Sequence, residues 1–340
     1  MIRCRCRGQV RIHDGFLFRP DCATARTDRI ESVPLPLAQI REHMPCAAAC
    51  ERVIAPAFVA GSAALAPLRW WHLASLDAPT VAVIWSEAFA WAAGVRLPLW
   101  VPVLIALAVW SVYVADRLLD AKAELRAARL DRLRERHLFH WRHRRLFAPM
   151  AFAGACAAAC IFFAAAPAAV REHDSLLAAA SLVYFAGVHT GRKTPLLPKE
   201  FLVGMLFTAG CLLPTWSRTA FPTPAAIWLA LVPAVFFALL AWLNCFTIDR
   251  WERGLAAATA RSVALPAVLL GAAGIVLAVA LSVQQQRCAA LVGCGAAAAL
   301  LLALLDRLRA RLGPVVLRAA ADLVLLTPIA LVPFAARLAR

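Results

Sequence analysis

The chain has 340 residues, of which 62% are hydrophobic and 16% are charged. Soluble domains average about 45–50% apolar and roughly 25% charged residues, so this composition excludes an ordinary soluble domain and a disordered chain. Since a helical span needs about 20 residues, a membrane protein with many spans is predicted instead. The net charge of +16 would indicate nucleic acid in a soluble protein, so the placement of the basic residues decides what it means.

Residues 1–69 combine many arginines with proline and cysteine. They lack the short basic start followed directly by an apolar run that marks a signal peptide. We interpret them as a disordered cytoplasmic extension and predict that the membrane domain occupies residues 70–340.

The remainder of the chain contains a series of apolar runs, each long enough to form most of a span. They lie at 78–94, 97–116, 147–167, 174–189, 200–215, 225–245, 262–283, 288–305 and 316–336. The sequence therefore predicts an all-α, polytopic bundle of nine transmembrane helices.

Lysine and arginine alternate between the connections of this bundle. Twenty lie in the segments 117–146, 190–199, 246–261 and 306–318, and four lie in the connections between them. Cytoplasmic loops attract basic residues, so these four segments and the N-terminus are expected to be cytoplasmic. The positive charge is then explained by membrane topology and by contact with membrane lipid. No nucleic acid partner is expected.

Carboxylates close to a span are costly and are candidates for function. Asp116 and Asp120 are four residues apart at the end of the second span, and Glu124 continues the same helix face. Two such oxygen ligands suit Mg²⁺ that also binds phosphate oxygens. The alternative is a solvated helix end whose ion-pair partners are Arg117 and Lys122.

A second group closes the sixth span on the same predicted side. Asp249 and Glu252 share a helix face, whereas Asn244 would join them only if the helix bends. A third group provides Arg192 and Lys193 between spans four and five, where these cations could bind phosphate or simply mark a cytoplasmic loop.

Three single acids lie in or beside spans. Asp77 is predicted to be a helix N-cap at the start of the first span. Glu87 lies within that span, where it could face an internal cavity. Asp322 follows Arg318 by four residues and could form an ion pair with it.

The segment 129–147 is dense in arginine, histidine and aromatic residues and is predicted to lie as an amphipathic helix on anionic lipid. The arginines expected to dock there, with little part in chemistry, are Arg132, Arg134, Arg136 and Arg142. The same segment contains His137, His140 and His143. Their spacing gives weak support to a metal cluster, because the surrounding arginines would repel a cation.

Together these features resemble the UbiA superfamily of intramembrane prenyltransferases, which has nine spans and Asp-rich motifs after spans two and six. The family motif NxxxDxxxD matches Asp116 and Asp120, with Val112 at the Asn position. The second motif, DxxxD, matches at Asp249, with Arg253 at the position of its second Asp.

Two further stretches carry the resemblance. The sequence RKTPLLPKEFLVG at 192–204 is similar to the family pattern KRxTxxPxxxLG. The sequence SLDAPTV at 75–81 is similar to RLDKPxG, without its basic residues. The resemblance covers roughly residues 70–336.

The resemblance implies an enzyme that moves a prenyl group from a diphosphate to a hydrophobic, usually aromatic acceptor, at the cytoplasmic face of a bacterial inner membrane. It assigns the Mg²⁺ ligands to Asp116, Asp120, Asp249 and Glu252, with the diphosphate bound by Arg192 and Lys193. Two alternatives stay open. One is a UbiA-like protein that has lost catalysis, and the other is a transporter whose coupling carboxylates are Glu87 and Asp322.

Overall fold

The computed structural model describes residues 66–127, 133–189, 198–219, 223–254 and 263–333. Every regular element in these ranges is a helix. The predicted all-α class is therefore confirmed for the described part of the chain.

Eleven α-helices are numbered here in chain order. They are α1 Ala66–Leu73, α2 Asp77–Ala92, α3 Trp100–Arg126, α4 Glu135–Arg142, α5 Arg144–Ala165, α6 Ala168–His189, α7 Lys199–Trp216, α8 Pro224–Gly254, α9 Ala264–Ser282, α10 Gln286–Leu308 and α11 Pro314–Leu323. Short 3₁₀ segments follow α10 at Arg309–Arg311 and α11 at Val324–Leu331.

Six helical stretches in the described ranges are long and apolar enough to cross a membrane. They are Trp100–Arg126, Arg144–Ala165, Ala226–Glu252, Ala264–Ser282, Gln286–Arg311 and Pro314–Leu331. Among the other predicted spans, α2 has only 16 residues, and α6 and α7 carry charged residues in their first turns. Nine spans therefore remain a prediction, and six helices of membrane-spanning character are what the structure contains.

The first residues of the described chain shift the predicted domain boundary. Helix α1 begins at Ala66, packs against α4 and α11, and places Arg69 in an ion pair with Glu135 of α4. Residues 66–69 thus belong to the helical unit. The rest of the predicted N-terminal extension lies outside the described residues.

Small residues allow the long helices to approach closely, as is common in membrane proteins. A Cβ atom on Gly204 of α7 would lie 2.8 Å from the backbone nitrogen of Trp242 on α8. On α9 and α10, Gly274 and Gly295 both lie against the ring of Phe236. These contacts hold α8, α9 and α10 together at short distances.

The centre of the core joins α2, α8 and the C-terminal 3₁₀ segment. The buried rings of Trp85 and Phe237 stack with centroids 3.8 Å apart, and the Trp85 indole nitrogen donates to the carbonyl oxygen of Leu325 at 2.8 Å. Aromatic stacking with a satisfied indole is a stabilising arrangement. This contact fixes α2 relative to α8. Polar clusters lie at the ends of the same helices.

A buried carboxylate fixes one of these ends. Asp306 at the end of α10 accepts hydrogen bonds from the backbone nitrogens of Val263 and Ala264 at 3.0 and 3.2 Å, and from the Trp251 indole at 2.8 Å. It therefore satisfies the free amide groups at the start of α9 while joining that helix to α8 and α10.

Candidate functional site

Asp116 and Asp120 lie one turn apart near the end of α3, as the sequence predicts. Helix α6 ends beside them at His189, whose Nε2 is 3.1 Å from Asp116 Oδ1 and whose Nδ1 is 3.8 Å from Asp120 Oδ1. One ligand atom from each of the three residues lies within 4.8 Å of the other two. The end of α3 and the end of α6 therefore form one small polar site.

The three residues of this site differ in burial and share nearby positive charge. Asp116 and Asp120 keep 40% and 35% of their side chains exposed, whereas His189 keeps 14% and packs on the ring of Phe185 at 4.6 Å. Lys199, at the start of α7, is close enough to attract both carboxylates. Arg136 also attracts Asp120. The two carboxylates lie side by side and are partly exposed, which leaves them accessible to a cation.

The donor set can be compared with the cation that the UbiA resemblance implies. Carboxylate oxygens at a solvated helix end fit Mg²⁺, which usually binds through one or two carboxylates and retains waters. The imidazole nitrogen of His189 is a ligand better suited to transition metals. Asp116 and Asp120 therefore fit Mg²⁺, and His189 adds a donor that the sequence pattern did not include.

The second predicted motif lies at the end of α8. Asp249 is half-buried, and within the described ranges no group of potential ligand atoms joins it to Asp116 and Asp120 within 4.8 Å. A direct shared ligand set is thus not formed by these side chains. That the two motifs face each other across a bound diphosphate remains a prediction.

Glu252 lies among arginines. Its carboxylate accepts from Arg136 Nη1 at 2.5 Å and from Arg318 Nη1 at 2.8 Å, and Arg134 Nε lies 3.8 Å away. These guanidinium groups would repel a metal ion, so the geometry favours a structural role for Glu252 over the predicted metal-binding one.

The same contacts correct the interpretation of the arginine-rich segment. Arg134 and Arg136 bind the end of α8, with Arg134 also donating to the Glu252 carbonyl oxygen at 3.1 Å, and therefore do not serve mainly as lipid contacts. The guanidinium of Arg136 is only 14% exposed, and burial lowers its pKa to about 10. Arg142 is exposed, and Arg132 lies outside the described residues.

The three histidines in and directly after α4 do not belong to any group of potential metal ligands among the described residues. His140 donates from Nδ1 to the Arg136 carbonyl oxygen at 2.9 Å and accepts at Nε2 from the Ser75 hydroxyl at 3.0 Å, whereas His143 bonds to the carbonyl of Phe139. Burial lowers the pKa of His140 to about 4 and that of His137 to about 3. Both rings are therefore neutral at pH 7.

Asp77 has a role different from the predicted N-cap. It is the first residue of α2, is 1% exposed, and accepts at Oδ2 from His72 Nδ1 at 2.6 Å and from Arg117 Nη2 at 3.3 Å. Burial lowers the pKa of His72 to about 4, so a neutral imidazole donates to the carboxylate. These bonds tie α1, α2 and α3 together.

Asp322 is close enough to His72 and Asp77 to complete a second group of potential metal ligands. The Asp77 oxygen nearest to His72 already accepts two hydrogen bonds, one of them from a guanidinium, which disfavours a metal there. Asp322 itself accepts from Asn244 Nδ2 at 3.1 Å. This group is best described as a buried polar network.

The remaining predicted residues are placed as follows. Asn244 is buried on the continuous helix α8, and its amide reaches Asp322. Arg318, expected to pair with Asp322, directs its Nη1 at Glu252. Glu87 is exposed on α2. Arg192 and Lys193, predicted to bind diphosphate, lie outside the described residues.

Sequence reasoning missed two residues of the site. His189 lies three residues before Arg192, at the end of a predicted span, and Lys199 belongs to the same stretch as Arg192 and Lys193. Their position beside the loop was a usable signal. Contact of both with the end of α3 depends on helix packing, which a single sequence does not specify.

No family model, curated protein or solved structure matches the chain.

Proposed function

We propose that this chain is an integral membrane prenyltransferase of the UbiA type, which transfers a prenyl group from a Mg²⁺-bound diphosphate to a hydrophobic, aromatic acceptor. The observation that carries the proposal is the pair of carboxylates, Asp116 and Asp120, at one end of a 27-residue apolar helix. The alternation of basic segments supports a cytoplasmic position for this end. We further propose that the N-terminus is cytoplasmic and that the membrane is a bacterial inner membrane.

In this proposal Asp116 and Asp120 hold the cation that binds the diphosphate, and Asp249 approaches from the end of α8. The bond between the first prenyl carbon and the diphosphate oxygen breaks, and its electron pair leaves with the diphosphate. The acceptor carbon then bonds to the prenyl cation and loses its proton to the released diphosphate or to water. Bound Mg²⁺ would stabilise the negative charge that develops on the leaving group.

Cationic side chains assist the same step. Lys199 already lies near both carboxylates and can interact with a phosphate oxygen. Arg192 and Lys193 follow His189 in sequence and are proposed to bind the diphosphate. The apolar helices exclude water from the prenyl cation, which would otherwise be hydrolysed.

The test is Mg²⁺-dependent release of diphosphate by the purified protein, measured with prenyl diphosphates of several lengths and a panel of aromatic acceptors. We expect Asp116→Asn and Asp120→Asn to lower release by at least about 100-fold, which corresponds to roughly 2.7 kcal/mol. Glu172→Gln, an exposed change near the other end of α6, is the control and should retain activity.

Other outcomes favour the alternatives. Binding of prenyl diphosphate without release would indicate a UbiA-like protein that has lost catalysis, consistent with Val112 and Arg253 at motif positions. Absence of binding, combined with ion-dependent flux that requires Glu87 or Asp322, would favour a transporter. Release that is unchanged in both Asp variants would refute the proposed site.

A further inference from the structure

The strongest unexplained feature of the site is the imidazole of His189. It comes from α6, more than 60 residues after α3, and presents a nitrogen atom to each of the two carboxylates. Its ring is held against Phe185 and is largely buried, so its position is restricted. A histidine placed in this way is either a hydrogen-bond donor to Asp116 or a metal ligand.

The chemistry of the three donors points to one class of ion. Two carboxylates and one imidazole form a mixed oxygen and nitrogen set, and imidazole favours Zn²⁺, Co²⁺ and related first-row ions over Mg²⁺. Typical metal distances are about 2.0–2.2 Å for both donor types. Two ligands of one ion are then at most about 4.4 Å apart. The three ligand atoms lie within 4.8 Å of one another, so small side-chain adjustments would let them surround a single ion.

We propose that His189 is a third ligand of the cation held by Asp116 and Asp120, so that this site selects a first-row transition-metal ion over Mg²⁺. The inference rests on the proposed function in taking Asp116 and Asp120 as cation ligands, and it replaces Mg²⁺ by a transition-metal ion as the cation that they hold. Coordination requires Nε2 to exchange its hydrogen bond with Asp116 for a bond to the metal.

The test compares metal affinities of the full-length protein in detergent, purified without a histidine tag. Calorimetric titration should show that Co²⁺ binds at least about tenfold more tightly than Mg²⁺. In His189→Gln we expect the Co²⁺ affinity to fall by about tenfold or more, while the Mg²⁺ affinity stays within about twofold. His143→Gln, which changes an exposed histidine directly after α4, should behave as the wild type.

Pulsed electron paramagnetic resonance separates coordination from a structural role. With Mn²⁺ bound, the wild type and His143→Gln should show coupling to a directly bound ¹⁴N nucleus, and His189→Gln should not. A bound ion without nitrogen coupling in the wild type, or coupling that persists in His189→Gln, would overturn the inference. Failure to bind any divalent cation would overturn it as well.

The results distinguish failure of this inference from failure of the proposed function. If His189 coordinates the metal but no prenyl diphosphate is consumed, the inference stands and the prenyltransferase proposal fails. If diphosphate is released with Mg²⁺ while His189→Gln leaves the Co²⁺ affinity unchanged, the function stands and the inference fails.

Discussion

Arg136 of α4 and Glu252 of α8 form a two-point ion pair, with Nη1–Oε1 at 2.5 Å and Nη2–Oε2 at 3.3 Å. Arg318 of α11 adds a third hydrogen bond to the same carboxylate at 2.8 Å. The short helix α4 is thus attached to the end of α8, at a carboxylate that α11 also binds. Its position is set by protein contacts, and lipid contact is secondary.

The first prediction concerns this attachment. Arg136→Ala should lower the free energy of unfolding by about 2–3 kcal/mol, because it removes a charge-assisted pair from a largely buried carboxylate. The measurement is thermal unfolding in detergent micelles. Arg142→Ala on the same helix is the matched control, and its exposed side chain predicts a change of less than about 0.5 kcal/mol. Equal effects of the two substitutions would contradict attachment through Glu252.

The second prediction concerns pH. His140 has a pKa of about 4 in the folded protein because it is buried, whereas an unfolded histidine has a pKa near 6.5. The unfolded chain therefore binds more protons, and the stability that His140 provides above pH 6.5 is lost as the pH falls toward 4. His140→Gln should reduce this loss of unfolding free energy, by on the order of 2 kcal/mol.

The measurement is the unfolding temperature of both proteins between pH 7.5 and pH 4, with the slopes compared. His143→Gln serves as control because that ring is exposed. Parallel slopes for wild type and His140→Gln would show that the ring accepts its proton without cost in the folded state. His137, which has a pKa of about 3, should still contribute to the pH dependence of stability in His140→Gln.

The third prediction tests the contact between α7 and α8. A Cβ atom at residue 204 would lie 2.8 Å from the Trp242 nitrogen and 3.1 Å from its Cα, and neither backbone atom can move without shifting α8. Gly204→Ala should therefore destabilise the protein by about 1–3 kcal/mol. Gly210→Ala on the same helix meets nothing within 4 Å and should stabilise it by up to about 1 kcal/mol through helix propensity. The measurement is thermal unfolding of both variants. If Gly204→Ala left the free energy of unfolding unchanged, this would argue against the close approach of α7 and α8.

The helical architecture was readable from sequence because apolar runs and charged connections repeat along the whole chain. The pair Asp116 and Asp120 was also readable, since a spacing of four residues places both on one helix face. These are local properties of single helices. They do not depend on how the helices pack.

Contacts between residues on different helices could not be predicted in this way. His189 and Glu252 are each defined by contacts with residues more than 60 positions away in the chain. Basic segments have the same appearance whether their arginines face lipid or protein, so the sequence predicts lipid contact for Arg134 and Arg136. The sequence predicts a cap at Asp77, because the burial of this carboxylate against Arg117 depends on the packing of α2 against α3.

The last prediction separates the buried network from the candidate site. Asp77 is 1% exposed and is the carboxylate facing Arg117, which is itself 2% exposed. Removing one partner of a buried ion pair leaves the other charge uncompensated, which typically costs about 3–5 kcal/mol. Asp77→Asn keeps the shape of the side chain but removes its charge, so we expect a loss of unfolding free energy in this range.

Asp120→Asn provides the comparison, because it makes the same chemical change in a carboxylate that is 35% exposed and that lies beside Asp116. Relief of repulsion between the two carboxylates offsets the weakened attraction to Lys199, so we expect stability to change by less than about 1 kcal/mol. The free energy of unfolding should thus respond to substitution of Asp77, whereas metal-dependent binding should respond to substitution of Asp120. Similar losses of stability in both variants would mean that Asp120 is part of the structural framework, and would remove the main reason for placing a cation between α3 and α6.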